Sequence, residues 1–140
     1  MNSKQVIVMR KKFPDGNGGM RKLRTGKMIA QGSHASMKVI LDKMSKGAKN
    51  GIDTLSLDYI SGSPMDDWLT GLFTKICVSV DTEEELDELY AKAQELNIPC
   101  SMIIDAGKTE FNGVPTKTCI AIGPDTSENV DKITKGLPLL

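Results

Sequence analysis

Four short apolar runs, separated by stretches whose apolar residues recur at helical spacing, restrict this chain to an α/β fold. The runs are Gln5–Arg10 (QVIVMR), 72–80, 101–104 (SMII) and 118–122 (TCIAI). Each reads as a strand. Between the first and second, a helix is expected from about Lys27 to Lys46. Its apolar positions would be Ile29, Ala30, Met37, Ile40, Leu41 and Met44, with Gly47 as a stop. Ser63-Pro64 opens a short helix closed by Gly71. Asp81-Thr82 followed by Glu85 is a capping signal for a third helix. That helix lays Leu86, Leu89, Tyr90, Ala93 and Leu96 on one stripe and ends at Asn97 and Pro99. A last helix starts near Asp125, Thr126 or Ser127 and carries Val130 and Ile133. The order is β-α-(α)-β-α-β-β-α, and 140 residues suit a single domain, residues 1–140.

Alternating strands and helices imply a sheet with parallel members, and ligands gather outside the carboxyl ends of such strands. Lys27 opens the helix after the first strand. Asp105 leaves the third strand in the segment DAGKT. If those strands run parallel, both residues reach one rim. There Lys27, in a first helical turn, can bind phosphate or stabilise an oxyanion. Asp105 can orient a water or hold the lysine. Gly107 allows close backbone approach or a positive φ. Thr109 offers a hydroxyl, and Gln31 can position a water or a carbonyl. The plainer alternative is a partly exposed Lys27–Asp105 salt bridge that contributes little. Lys27, Gln31 and His34, at i, i+4 and i+7, form a polar stripe on their helix. A Ser-His-Asp triad around His34 has no support, since Ser33 and Ser36 do not face it on a helix and no GxSxG elbow exists.

Charge is distributed unevenly. The chain is neutral overall, yet residues 1–49 hold 12 Lys and Arg against Asp15 and Asp42. Such asymmetry suits a polyanion, or else the two halves neutralise each other in the fold. The stretch 11–26, a long basic loop with Pro14 and the cluster Arg21, Lys22 and Arg24, belongs to the basic part. Its GNGG is not a phosphate loop, and no dinucleotide fingerprint is present. Six aromatics are too few for a strong base-stacking platform, and Trp68 is expected at a core edge. Cys77, Cys100 and Cys119 fit no zinc spacing and read as buried thiols in a reducing compartment. No apolar run reaches the roughly 18 residues of a membrane span, and no secretory signal is read.

GKMIAQGSHA (26–35), WLTGLFTKICVSV (68–80), NIPCSMIIDAGKTE (97–110) and TKTCIAIGP (116–124), in that order, resemble the second, archaeal and eukaryotic family of peptidyl-tRNA hydrolases. The resemblance runs from Lys4 to Leu140. It implies a single α/β domain with a four-stranded mixed sheet flanked by helices on both faces, commonly as a homodimer. It implies hydrolysis of the ester between a peptide, or an N-blocked amino acid, and tRNA, which recycles tRNA from aborted translation in the cytoplasm. It places catalytic roles on Lys27, Gln31, Asp105 and Thr109, with Thr118 and His34 as further catalytic or positioning candidates. Arg21, Lys22, Arg24 and Lys108 would contact tRNA. Neither a metal nor an organic cofactor is implied. The chain departs from the family's pattern at Gly32, commonly cysteine, in the length of 11–26, and over 47–65. A non-catalytic RNA-binding module and an adaptor for an acidic protein are the competing readings of the same surface.

Overall fold

The computed structural model describes residues 1–108 and 111–140, so Thr109 lies outside the described residues. Four strands build one mixed sheet in the order β6 (Lys75–Val80), β1 (Ser3–Arg10), β8 (Thr116–Thr126), β7 (Cys100–Asp105). β6 runs parallel to β1, whereas β8 is antiparallel to both β1 and β7. β1 and β7 therefore point the same way, and their carboxyl ends share a rim.

Strand alternation divides the core. Val6, Val8, Ile120 and Ile122 pack with Leu86 and Ala93 of α3 (Glu83–Glu95) and with Val130 and Ile133 of α4 (Ser127–Thr134). The alternate residues Met9, Cys119 and Ala121 pack with Ala35 and Val39 of α1 (Thr25–Leu41). Each fully buried Val, Leu or Ile contributes about 1.5–3 kcal/mol relative to exposure. The caps follow the sequence: Ser63 Oγ accepts from Asp66 N–H at α2 (Pro64–Thr70), Thr82 Oγ1 from Glu85 N–H, and Thr126 Oγ1 from Asn129 N–H. Trp68 is buried and donates Nε1–H to Thr74 O at 2.8 Å.

α1 differs from expectation in two ways. It stops at Leu41, and Ser45–Lys49 is instead a strand, β4, paired with β5 (Ile52–Ser56) in a separate hairpin. The buried face of α1 is also not the large apolar one. Gln31, Gly32, Ala35 and Val39 lie against the sheet, while Ile29, Met37 and Leu41 are 65%, 62% and 43% exposed. Small residues set this orientation because they let the helix backbone approach the strands. A Cβ built on Gly32 would meet Ile7 Cγ2 at 3.6 Å, an ordinary contact, so the helix backbone lies about as close to the sheet as an alanine allows. Ile29 and Met37 of this outward row line an apolar groove of about 790 Å³ with Trp68, Phe73, Cys77 and Leu140. Cys119 is buried as expected, but Cys77 is exposed and Cys100 half-buried.

Candidate active site

The rim at the carboxyl ends of β1 and β7 carries the candidate site. Arg24 precedes α1 in extended conformation, and among the described residues no side chain caps the helix. Lys27 projects from its first turn, and its Nζ donates to Asp105 Oδ1 at 2.8 Å. The side chains retain 16% and 13% of their exposure, so the pair is sheltered but not sealed. The other carboxylate oxygen, Oδ2, accepts from Gly107 N–H at 2.9 Å. Burial pushes the Asp105 carboxyl up. The Lys27 hydrogen bond, the Gly107 amide and the Lys27 charge outweigh it and hold the group below the usual carboxylate range.

Gly107 is required by geometry. Its φ is +80°, and an added Cβ would lie 2.4 Å from Val114 O. Its carbonyl accepts from Gly113 N–H at 2.8 Å, which closes the loop behind Asp105.

Gln31 and Thr118 form a second, deeper layer. Thr118 Oγ1 donates to Gln31 Oε1, and Cys119 Sγ donates to Gln31 O at 3.2 Å. Strict alternation would send residues 118 and 119 to opposite faces. The register with β7 shifts here: Ile103 pairs with Cys119, but Ile104 pairs with Lys117. Thr118 is the surplus residue of a β-bulge, which turns both 118 and 119 toward α1. Burial raises the Cys119 thiol to about 12, against a smaller opposing effect of the Thr118 hydrogen bond.

A satellite cluster holds the rim together. Phe13, Leu23 and Phe111 are buried together, with Met28 of α1 against them. The Phe13 and Phe111 rings are 5.1 Å apart and tilted by 41°. The basic loop, the start of α1 and the segment after Asp105 are thus joined through one small core. The loop itself folds back on β2 (Phe13–Pro14) and β3 (Met20–Arg21), with Asp15 Oδ1 accepting from Asn17 N–H and Gly19 N–H. Arg21 stacks its guanidinium 5.2 Å from the Phe111 ring, while Lys22, Arg24 and Lys108 are exposed.

Lys27, Asp105, Gln31 and Thr118 are therefore brought together in two hydrogen-bonded pairs. His34 is not among them: it is exposed on α1, beside Met37, Lys38 and Asp42, so the expected polar stripe ends at Gln31. Sequence reasoning missed the bulge and the Phe13–Phe111 pairing. Neither has a local signature, because each depends on partners distant in sequence. Among the described residues no group of three His, Cys, Asp or Glu side chains could hold a metal, and no helix is long and apolar enough to cross a membrane.

The family described as Peptidyl-tRNA hydrolase PTH2 matches residues 3–140. A peptidyl-tRNA hydrolase of Sulfurisphaera tokodaii is 39% identical over 140 residues, covering all of both chains. That of Methanocaldococcus jannaschii is 38% identical over 137 residues, 98% of this chain and 99% of the relative. That of Methanopyrus kandleri is 36% identical over 137 residues, 98% and 97% of the two chains. The chain belongs to the PTH2 family of peptidyl-tRNA hydrolases.

Proposed function

We propose that this chain hydrolyses the ester between a peptide and the terminal ribose of tRNA, with Lys27 and Asp105 as the working pair. The observation that carries the assignment of roles is the 2.8 Å contact between them at an uncapped helix start. An ester needs only a positioned water and a stabilised oxyanion. Asp105, fixed by the Gly107 amide, accepts a hydrogen bond from the attacking water. It is a weak base, so it takes the water's proton as the new C–O bond forms and the water becomes acidic. The Lys27 ammonium and the first-turn amides face the charge that develops on the carbonyl oxygen, or the terminal phosphate. The proton then passes to the ribose oxygen as the ester bond breaks. Gln31, whose Oε1 is occupied by Thr118, presents its amide N–H to the substrate carbonyl. Thr109 is assigned a role in positioning the ester by family resemblance alone. His34 is left as a contact outside the reacting pair. Arg21, Lys22, Arg24 and Lys108 hold the RNA backbone, and no cofactor takes part.

The protein works in the cytoplasm, where translation supplies the substrate, and as a homodimer. The exposed row Ile29 and Met37 along the apolar groove supports the dimer, since a patch of this kind is commonly covered. Light scattering on the native chain and on Met37→Glu tests it, with a native monomer as the contrary result. Release of N-acetyl amino acid from tRNA tests the activity. Wild type is expected to be active and both Lys27→Ala and Asp105→Ala to be impaired. Intact tRNA binding without any release by wild type would leave only an RNA-binding module.

A further inference from the structure

Between α1 and α2 stands an element that the core does not need. β4 and β5 pair over five positions, from Ser45↔Ser56 to Lys49↔Ile52. They are joined by Asn50-Gly51, with φ of 52° and 77°, the signature of a type I′ turn. Every residue of both strands is exposed. A two-stranded ribbon without a packed face is marginal in water.

The register shows what the ribbon's surface is made of. Ser45, Gly47, Lys49, Ile52, Thr54 and Ser56 share one face. That face carries an ammonium and three hydroxyls, no carboxylate, and a glycine where backbone can come close. Lys46 extends from the other face, which it shares with Asp53, and Lys43 stands at the root. Neither Lys46 nor Lys49 is in an ion pair among the described residues. Lysines and hydroxyls are the groups that contact phosphate and ribose without reading sequence. The ribbon follows the carboxyl end of the helix whose first turn holds Lys27. At about 1.5 Å per residue, Leu41 is roughly 20 Å along α1 from that lysine. An unpaired RNA end lying at the catalytic rim would bring its double-stranded stem to this distance.

We propose that the β4–β5 ribbon is an arm that grips the sugar–phosphate backbone of the tRNA stem. This rests on the hydrolase reading above. The test compares wild type, Lys46→Glu/Lys49→Glu, and a chain in which two glycines replace residues 45–56. Two readouts are used: the salt dependence of tRNA binding, and hydrolysis of N-acetyl-aminoacyl-tRNA against the same ester on a short single-stranded 3′-end oligonucleotide. Two phosphate contacts, at a slope of about 0.9 each, amount to about a twelvefold change in affinity between roughly 50 and 200 mM salt. The slope is therefore expected to fall by about 2 in both variants. The preference for full-length tRNA over the oligonucleotide is expected to shrink about tenfold. Equal slopes and an unchanged preference in folded variants overturn the proposal. So does an equal loss on both substrates, or a change of oligomeric state with the slope retained. Wild type inactive on both esters but with the expected slopes would sink the hydrolase reading and leave the arm standing.

Discussion

Asp105→Asn separates a working carboxylate from a structural one. The substitution keeps the shape of the side chain and its acceptor for Gly107 N–H, and removes the charge facing Lys27. The pair is neither fully exposed, where about 0–1 kcal/mol is at stake, nor sealed, where a broken pair costs about 3–5 kcal/mol. With 16% and 13% of their side chains exposed, the two groups lie between these limits. A charge-assisted hydrogen bond of about 2 kcal/mol is the fitting magnitude. For a domain of this size it lowers Tm by about 6 °C. A domain stable by about 5–15 kcal/mol stays folded after that loss. Loss of the group that orients and deprotonates water costs about 10²–10⁴ in rate. Thermal melts and single-turnover release of N-acetyl amino acid from tRNA, on the same preparation, measure both quantities. The expected result is a folded protein with kcat/KM reduced at least a hundredfold. Activity within threefold of wild type, with Tm lowered by the stated amount, would reduce Lys27–Asp105 to a salt bridge and remove the mechanism.

Further consequences can be measured in the same way. In Lys27→Met the rise that burial imposes on the Asp105 carboxyl is opposed only by the Gly107 amide, so the acid limb of the kcat/KM profile moves to higher pH. In wild type the depressed carboxyl contributes stability that is complete above its unfolded value of about 4 and is lost as pH falls through the folded value. Urea titrations across that window should show a smaller pH dependence in the variant. Gly32→Ala should raise stability by about 0.5–1 kcal/mol through helix propensity, because the new methyl meets Ile7 at an ordinary 3.6 Å; a melt shifted upward by about 3 °C would show it. Gly107→Ala should lose activity, since its Cβ would collide with the Val114 backbone at a φ of +80°. Under native conditions a thiol reagent should leave Cys119, raised to about 12 by burial, unreacted until unfolding.

Capping residues and strand composition made most of the fold legible. Ser63-Pro64, Thr82 with Glu85, and Thr126 are local chemistry that acts wherever the chain goes, and each helix starts where its cap stands. The shared rim of Lys27 and Asp105 was readable because it follows if β1 and β7 run parallel, as they do. The β4–β5 hairpin was equally readable in principle. Asn50-Gly51 between Ser45–Lys49 and Ile52–Ser56 is a strong hairpin signal, masked by Gly47, which reads as the stop of a longer helix.

The orientation of α1 was not legible, for a physical reason. Hydropathy ranks Ile29, Met37 and Leu41 above Gly32 and Ala35, yet the helix turns its small residues to the sheet, where the two backbones pack closely. That choice also fixes the chemistry. With Gly32 and Ala35 against the strands, Gln31 is turned down to the edge of β8. There the bulge has added one residue and aimed Thr118 at it. Lys27, one turn earlier on the same flank, then falls beside Asp105. A larger residue at 35, where exposure is 0%, would lift the helix and open the Lys27–Asp105 and Gln31–Thr118 pairs together. The two layers of the site are thus set by one packing decision, made by residues that carry no functional group.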